Sequence, residues 1–336
     1  MGLGRYLLRR IVLLVPTLLG LSILTFVISH IVPADPAKLA AGPRATSEMV
    51  ESIRKDYGLD QPLIRQYFTY ISDLFRGDFG TSIMTQRSVS SDLAARFPAT
   101  AELVLYAMVL AIVVGVPLGI LSAVYQNRWP DQVIRILAIS SVSLPQFWIG
   151  ILLQLTFASS LGWLPLSKRL PTLEVPPDKI TGMYVTDSLL NGDVHLFLMS
   201  LKHLALPTIV LAMLPMAIIM RTLRGDMLNV MNQDFVRVAR AKGLSEVKVI
   251  LGHAARNAFI PSLTMIGLSF GWTLGGTVLV EVIFDWPGIG NYAVEAAGRL
   301  DFAPIMGVTM LIGVVFVVLN LVVDILYGVI DPRISY

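Results

Sequence analysis

Cysteine is absent from this 336-residue chain. That excludes a disulfide framework, a thiolate metal site and a cysteine nucleophile. Charge is scarce as well: Asp, Glu, Lys and Arg make up 15% of the residues, against about 25% in soluble globular domains, so the chain is not a soluble domain. No Gly-x-x-x-x-Gly-Lys-Ser/Thr phosphate loop occurs, and Lys242-Gly243 has the wrong order and context. If ATP drives this protein, another polypeptide must bind it. The four histidines, His30, His195, His203 and His253, are scattered without metal-ligand spacing. There is no His-Glu-x-x-His pair, and no serine stands at an identifiable spacing from a histidine base, which argues against an intramembrane protease. Neither an internal repeat nor a low-complexity linker divides the chain, so residues 1–336 read as one membrane domain. Repeated halves and midplane charges, the marks of a secondary transporter, are missing too.

What is abundant is apolar sequence, 55% of the chain. It clusters into six runs near or above the length a bilayer span needs, over about 11–31, 100–124, 133–158, 204–220, 261–284 and 304–325. The first run follows Arg9 and Arg10 as a signal peptide would. It is longer than a signal h-region, and Pro33, Asp35 and Pro36 follow it without a cleavage pattern. It reads as an uncleaved first helix. The expected fold class is therefore all-α, a polytopic membrane protein.

Orientation follows from Lys and Arg. With the N-terminus inside and each charge assigned to its nearer side, the cytoplasmic side holds 13 basic and six acidic residues, and the outer side 13 basic and 17 acidic. Eight of the outer basic residues lie in one long loop, where the positive-inside bias weakens. The short outer loop after the fifth run carries only Arg299. Six spans then place both termini in the cytoplasm. The first outer segment, 33–98, contains Met49, Ile53, Tyr57, Leu63, Tyr67 and Ile71 at helical spacing, broken by Gly58 and Pro62. It predicts two short amphipathic helices, either a cap on the spans or a docking surface. Gly77–Ser82 reads as a turn without assignable chemistry. The outer loop at 159–201, with Pro165, Pro171, Pro176, Pro177 and Asn191-Gly192, is expected to fold over the outer mouth.

The cytoplasmic loop at 222–260 carries the chain's densest basic block: Arg237, Arg240, Lys242, Lys248 and Arg256, with Arg221 and Arg224 just before it. Residues 234–242 contain no Gly or Pro and predict a short helix. Asp234 sits in its first turn, where the helix dipole favours an acid. Phe235, Val238 and Ala239 fall on one apolar stripe. Gly243 is placed to end the helix and Ser245 to cap a second one over 246–258, which enters the fifth span at Pro261. Two short helices about a glycine make a knob that fits a cleft. A plain positive-inside anchor would predict charge without that order.

Here the chain resembles the membrane permease subunit of ABC importers for oligopeptides and dipeptides, over nearly its whole length. The general ABC-importer motif runs Glu-Ala-Ala, then a glycine, then a later proline. Arg237, Val238 and Ala239 occupy the leading positions, Gly243 the glycine and Pro261 the proline; Arg237, Val238 and the ending, which lacks the usual Ile-x-Leu-Pro, depart from it. The peptide branch is similar to Ala239-Arg240-Ala241-Lys242-Gly243-Leu244, His253-Ala254 and Arg256-Asn257-Ala258. Glu281, Trp286-Pro287-Gly288-Ile289-Gly290 and the tail Asp331-Pro332-Arg333 resemble the same branch. The resemblance implies the type I importer permease fold in a bacterial inner membrane. It implies a second permease chain, which the branch favours as a heterodimer partner, two ATPase subunits holding ATP and Mg, an external solute-binding protein and a peptide substrate. It assigns ATPase coupling to Asp234, Arg237, Ala239, Arg240, Lys242, Gly243 and Leu244. Nickel, glutathione and oligosaccharide are the alternative substrates. Nothing in the composition points to nucleic acid, because the basic residues flank the membrane runs.

Polar residues inside the spans are the passage candidates. Glu102 either faces solvent at the outer end of the second span or lines the passage. Ser141, Ser143 and Gln146 surround Pro145, where a broken helix is expected; they line the passage or pack helices through small side chains. Asn320 makes an interhelical hydrogen bond or lines the passage. Asp324, near Tyr327, is expected to make a structural contact at the inner rim.

Overall fold

In the computed structural model the described residues are 3–31, 36–42, 45–56 and 58–330, and they are all-α apart from turns and one isolated bridge, Thr81 with Ser88. Five helices are long and apolar enough to cross a membrane: α1 (Leu3–Ile31), α5 (Val89–Val124), α9 (Val194–Met231), α12 (Arg256–Ile283) and α14 (Phe302–Ile330). Between α1 and α5 lie α2 (Pro36–Ala41), α3 (Ser47–Asp56) and α4 (Leu63–Phe75). Gly58, at φ 62°, and Pro62, at the head of α4, separate the last two.

The third apolar run is not a straight span. α6 (Trp129–Ser143) and α7 (Gln146–Leu153), which continues as a π-helical turn over Gln154–Ser160, meet at 107°. Leu144 and Pro145 are both extended at the break. Proline excludes the α conformation from the residue before it, so the helix stops where the sequence predicts.

The centre of the bundle is the pairing of α5 with α9, and α12 packs on α9. Gly115 and Gly119 lie one turn apart on α5. A Cβ there would come within 3.2 and 3.1 Å of the Met216 and Met220 carbonyls. On α12, Gly267 and Gly271 make the same approach to Val323 and Phe316 of α14. Small residues at this spacing let two backbones close up where no hydrophobic effect drives helices together in lipid. The buried core follows these seams, with Leu103, Met108, Leu204, Leu211 and Phe284 among its members. α1 stands at the edge, packed on α14, with Val12, Leu19, Ile23 and Val27 exposed. Such an apolar outward face suits a lipid or protein neighbour and not water.

The long helices exceed the apolar runs. α9 has 38 residues, about 57 Å of helix against a hydrocarbon core of about 30 Å. Its first turn is fixed by Asp193, whose side chain accepts from the Leu196 amide, as Ser88 accepts from Ser91 at the head of α5. Hydropathy registers only the apolar part of a helix, which is why the runs of the five long helices begin later than the helices do, and those of α9 and α14 also end earlier.

Candidate coupling element and passage

α10 (Asp234–Ala241) follows α9 after a two-residue turn. Gly243 takes φ 76° and its amide donates to the Arg240 carbonyl, closing the helix. α11 (Glu246–Lys248) opens the second arm. It passes without a break into a π-helical turn, Val249–Ala255, and then into α12. The second short helix expected over 246–258 is thus not separate. It is the extended foot of α12, and Pro261 lies inside that helix.

The buried stripe of α10 also differs from the expected one. Val236 and Ala239 are buried against Val249, with Val230 and Leu244 packed around them, whereas Phe235 and Val238 are exposed. Basic residues flank both stripes, so periodicity alone offers two faces one residue apart. Packing against the end of α9 and the π turn selects between them. The consequence is an apolar outer surface of Phe235, Val238, Val247 and Leu251. Arg237 pairs with Asp234 at 3.4 Å and Arg240 with Glu246 at 2.8 Å, both on the surface. Lys242 caps α10 and is exposed, and His253 lies half-buried in the π turn.

The knob has a firm base. Ala123, Leu223, Met227, Ala254 and Ala258 form one buried cluster joining the ends of α5 and α9 to the foot of α12. Beside it, the buried Asp131 of α6 receives both Nε and an Nη of Arg224 on α9 at 2.8 Å. It also receives the Ser122 hydroxyl and the Asn127 amide. Asp226 accepts from Ser262 at 2.9 Å, fastening α9 to α12. In the sequence Arg224 is only one member of a basic block; its pairing with Asp131 is visible only in the fold.

At the opposite end of the bundle, Glu281 is buried and accepts from Thr100 Oγ1 at 2.6 Å and from the Asn291 amide at 2.9 Å. The Ile289 amide donates to Thr100, and Trp286 Nε1 donates to the Ala99 carbonyl. A Cβ on Gly288 would overlap the Glu281 carboxyl and Thr100 Oγ1, so the Trp-Pro-Gly-Ile-Gly turn needs glycine for close approach. α13 (Ile289–Gly298) follows, and its Tyr292 hydroxyl donates to Asp92 at 2.9 Å. Burial pushes the Tyr292 phenol up to about 12. The Gly77–Ser82 turn gains a role here: Ser82 donates to the buried Asp301 at 2.7 Å.

The passage candidates do not converge. Glu102 is 1% exposed and faces no solvent. It accepts from Arg169 at 2.6 Å and from the Val185 amide at 2.7 Å. Arg169 lies over the Tyr184 ring at 3.5 Å and donates to the Gly182 carbonyl. The pair pins the 159–201 segment onto α5. The head of α8 (Tyr184–Leu190) is tied to the same segment by Asp187. Burial alone would raise the Asp187 carboxyl, but the Thr181 hydroxyl and the amides of Thr181, Gly182 and Ile180 outweigh it and hold the group below the usual carboxylate range.

Ser141 is buried and bonded to the Leu137 carbonyl of its own helix. Ser143 lines a cavity between α6 and α9, whereas Gln146 lines a small apolar one with Leu211, Ser269, Trp272 and Thr273. Asn320 sits half-buried on α14 and borders neither. The side chains of Asp324 and Tyr327 and the 331–336 tail lie outside the described residues. Among the described residues no group of three or more His, Asp or Glu side chains is arranged to hold a metal.

Comparison with known proteins identifies the family. Residues 115–336 match the family described as binding-protein-dependent transport system inner membrane component, and residues 3–104 match its N-terminal region. The probable D,D-dipeptide transport system permease protein of Escherichia coli (strain K12) is 46% identical over 322 residues, covering 96% of this chain and 95% of that protein. The dipeptide transport system permease protein of Alkalihalophilus pseudofirmus is 42% identical over 334 residues, covering 98% and 99%. The glutathione transport system permease protein of Escherichia coli (strain K12) is 39% identical over 331 residues, with the same coverage. The chain belongs to the family of binding-protein-dependent transport system inner membrane components, and it is a permease subunit of an ABC importer.

Proposed function

We propose that this subunit forms half of a passage for di- and oligopeptides in a bacterial inner membrane. Both termini face the cytoplasm, and the bent α6–α7 pair counts as the third of six spans. A second, homologous permease chain supplies the other half. Two cytoplasmic ATPase subunits bind ATP and Mg, and an external solute-binding protein delivers the substrate. This chain performs no chemistry of its own.

The observation that carries the reading is the knob. Val236 and Ala239 of α10 pack on Val249, and the helix holding Val249 runs on into α12. Force on the exposed face of Phe235, Val238, Val247 and Leu251 therefore reaches a membrane helix without crossing a flexible joint. Asp234, Arg237 and Lys242 surround that face and supply polar contacts, Arg240 holds the turn beside it through Glu246, and Ala239, Gly243 and Leu244 set its shape. The relatives named for D,D-dipeptide and dipeptide transport support a peptide substrate. Glutathione, itself a small peptide, is the second reading, on the relatives named for it.

The test has two arms. Co-isolation of the subunit with an ATPase whose hydrolysis depends on it checks the coupling. Binding of a panel of di- to pentapeptides, glutathione, oligosaccharides and nickel to the cognate external binding protein checks the substrate. Binding of nickel alone or of a sugar alone would overturn the peptide reading and leave the importer standing. A cysteine at Lys179 of this cysteine-free chain should react with an impermeant thiol reagent from outside, and one at Glu246 should not; the reverse pattern would invert the topology.

A further inference from the structure

Between α6 and α9, at the end of the bundle that carries α10, lies a cavity of about 430 Å³. Its walls are mostly apolar, formed by Ile134, Ala138, Ile139 and Val142 from α6 with Ala217 and Met220 from α9, and Ser122 and Ser143 are the uncharged polar side chains among them. Three arginines border it, Arg135, Arg221 and Arg224. Arg224 is neutralised by Asp131. Arg135 and Arg221 are exposed, and among the described residues no carboxylate pairs with either. The site is therefore an apolar slot with two uncompensated cations at its edge. Val133, Ile136 and Leu137 beside it also point outward, so the slot adjoins a surface fit for lipid.

A peptide is polar along its whole backbone. In this slot its amides would lie unpaired against Ile134, Ala138 and Met220, at a cost for each buried group. A phospholipid matches both halves of the site: an acyl chain for the slot and a phosphate for guanidinium groups, which bind phosphate through paired hydrogen bonds. We propose that this cavity binds an anionic phospholipid, with an acyl chain between α6 and α9 and the headgroup phosphate held by Arg135 and Arg221. Basic pockets between membrane helices at the cytoplasmic side recognise such headgroups. The lipid would brace α6 against α9 immediately behind the base of the knob. Assigning it to the inner leaflet rests on the orientation proposed above; the binding itself does not.

The test uses the assembled permease complex, equilibrated with vesicles of phosphatidylcholine containing phosphatidylglycerol, with retained lipid counted by native mass spectrometry. Each unpaired arginine is expected to favour the anionic lipid by about fivefold, and the two together by about 30-fold. The Arg135→Gln/Arg221→Gln double variant should lose that preference. Equal retention of both lipids by the wild type, or an unchanged preference in the double variant, overturns the proposal. Ala138→Phe keeps both arginines and fills the slot, so it too should lower phosphatidylglycerol retention; full retention would put the lipid elsewhere and reject the site. A photo-crosslinker at Ile139 should label lipid. Labelling of the second permease chain or of a transported peptide would assign the cavity to the subunit interface or the passage, against the proposal. Mass spectrometry counts bound lipid whichever way the chain faces, so an inverted topology would change the leaflet and not this result.

Discussion

Arg240 and Glu246 clasp the two arms of the candidate coupling turn, the guanidinium Nε donating to the carboxylate at 2.8 Å across the bend that Gly243 makes. Both side chains are exposed, and an exposed pair contributes only about 0–1 kcal/mol. Its value is therefore in the angle between α10 and α11 and hardly in stability. Arg240→Glu should reduce co-purification of the ATPase, and the swapped pair Arg240→Glu/Glu246→Arg should restore most of it. Arg237→Glu, whose own partner is Asp234, should gain nothing from Glu246→Arg. If the swap fails to restore Arg240→Glu, that arginine contacts the ATPase directly and the clasp is incidental.

Gly243 is required for its backbone and not for space, since no atom lies within 4 Å of where its Cβ would sit. At φ 76° a residue other than glycine costs roughly 1–2 kcal/mol, and asparagine tolerates the region best. Gly243→Val should uncouple ATP hydrolysis from transport while the protein still reaches the membrane, and Gly243→Asn should keep substantially more transport per ATP hydrolysed. Equal coupling in the two variants would refute the conformational argument.

Gly288 is the opposite case. A methyl group there would meet the buried Glu281 carboxyl and displace its bond from Thr100. Overpacking of this kind costs about 1–3 kcal/mol. Gly288→Ala should therefore lower the melting temperature and yield of the purified complex, where Gly298→Ala, at a position with no atom within 4 Å, should not. A wild-type melting curve for Gly288→Ala would contradict the knot described at this end.

Asp131 is wholly buried and Arg224 largely so. Removing one partner of such a pair costs about 3–5 kcal/mol, because the other charge is left without compensation. Arg224→Met should destabilise the complex severely, and Asp131→Leu/Arg224→Met should recover part of the loss. Thermal unfolding of the three proteins measures it; a double variant worse than the single one would mean that Ser122 and Asn127 depend on the carboxylate more than Arg224 does.

Asp187 gives a pH dependence of known sign. Its folded pKa is held below the unfolded value of about 3.9. Its contribution is thus fully present above that value and is lost as pH falls through the depressed one. Asp187→Asn should melt below the wild type by a constant margin between about pH 7 and 5, and the margin should close as the pH drops below about 4. A margin unchanged in acid would show that the carboxylate charge plays no part in fastening the loop at 180–187.

The sequence alone determined the class of this molecule, because hydropathy and turn chemistry are local. The apolar runs, the break at Pro145, the glycine turn at Gly243 and the short helices on either side of Gly58 are each specified by neighbours a few residues apart. The candidate coupling region stands out in the sequence for the same reason, as a basic, helix-patterned block between spans. Tertiary structure decided what each polar side chain touches. Glu102 finds Arg169, 67 residues on, and Glu281 finds Thr100, 181 residues back; no periodicity connects such pairs. The repeats Gly115-x-x-x-Gly119 and Gly267-x-x-x-Gly271 were signals of helix contact present in the sequence, but the backbone or side chain each glycine meets belongs to another helix. The choice between Phe235 and Val236 as the inner edge of α10 was equally nonlocal. Both faces of that short helix carry apolar residues, and burial went to the one that could reach Val230 and Val249.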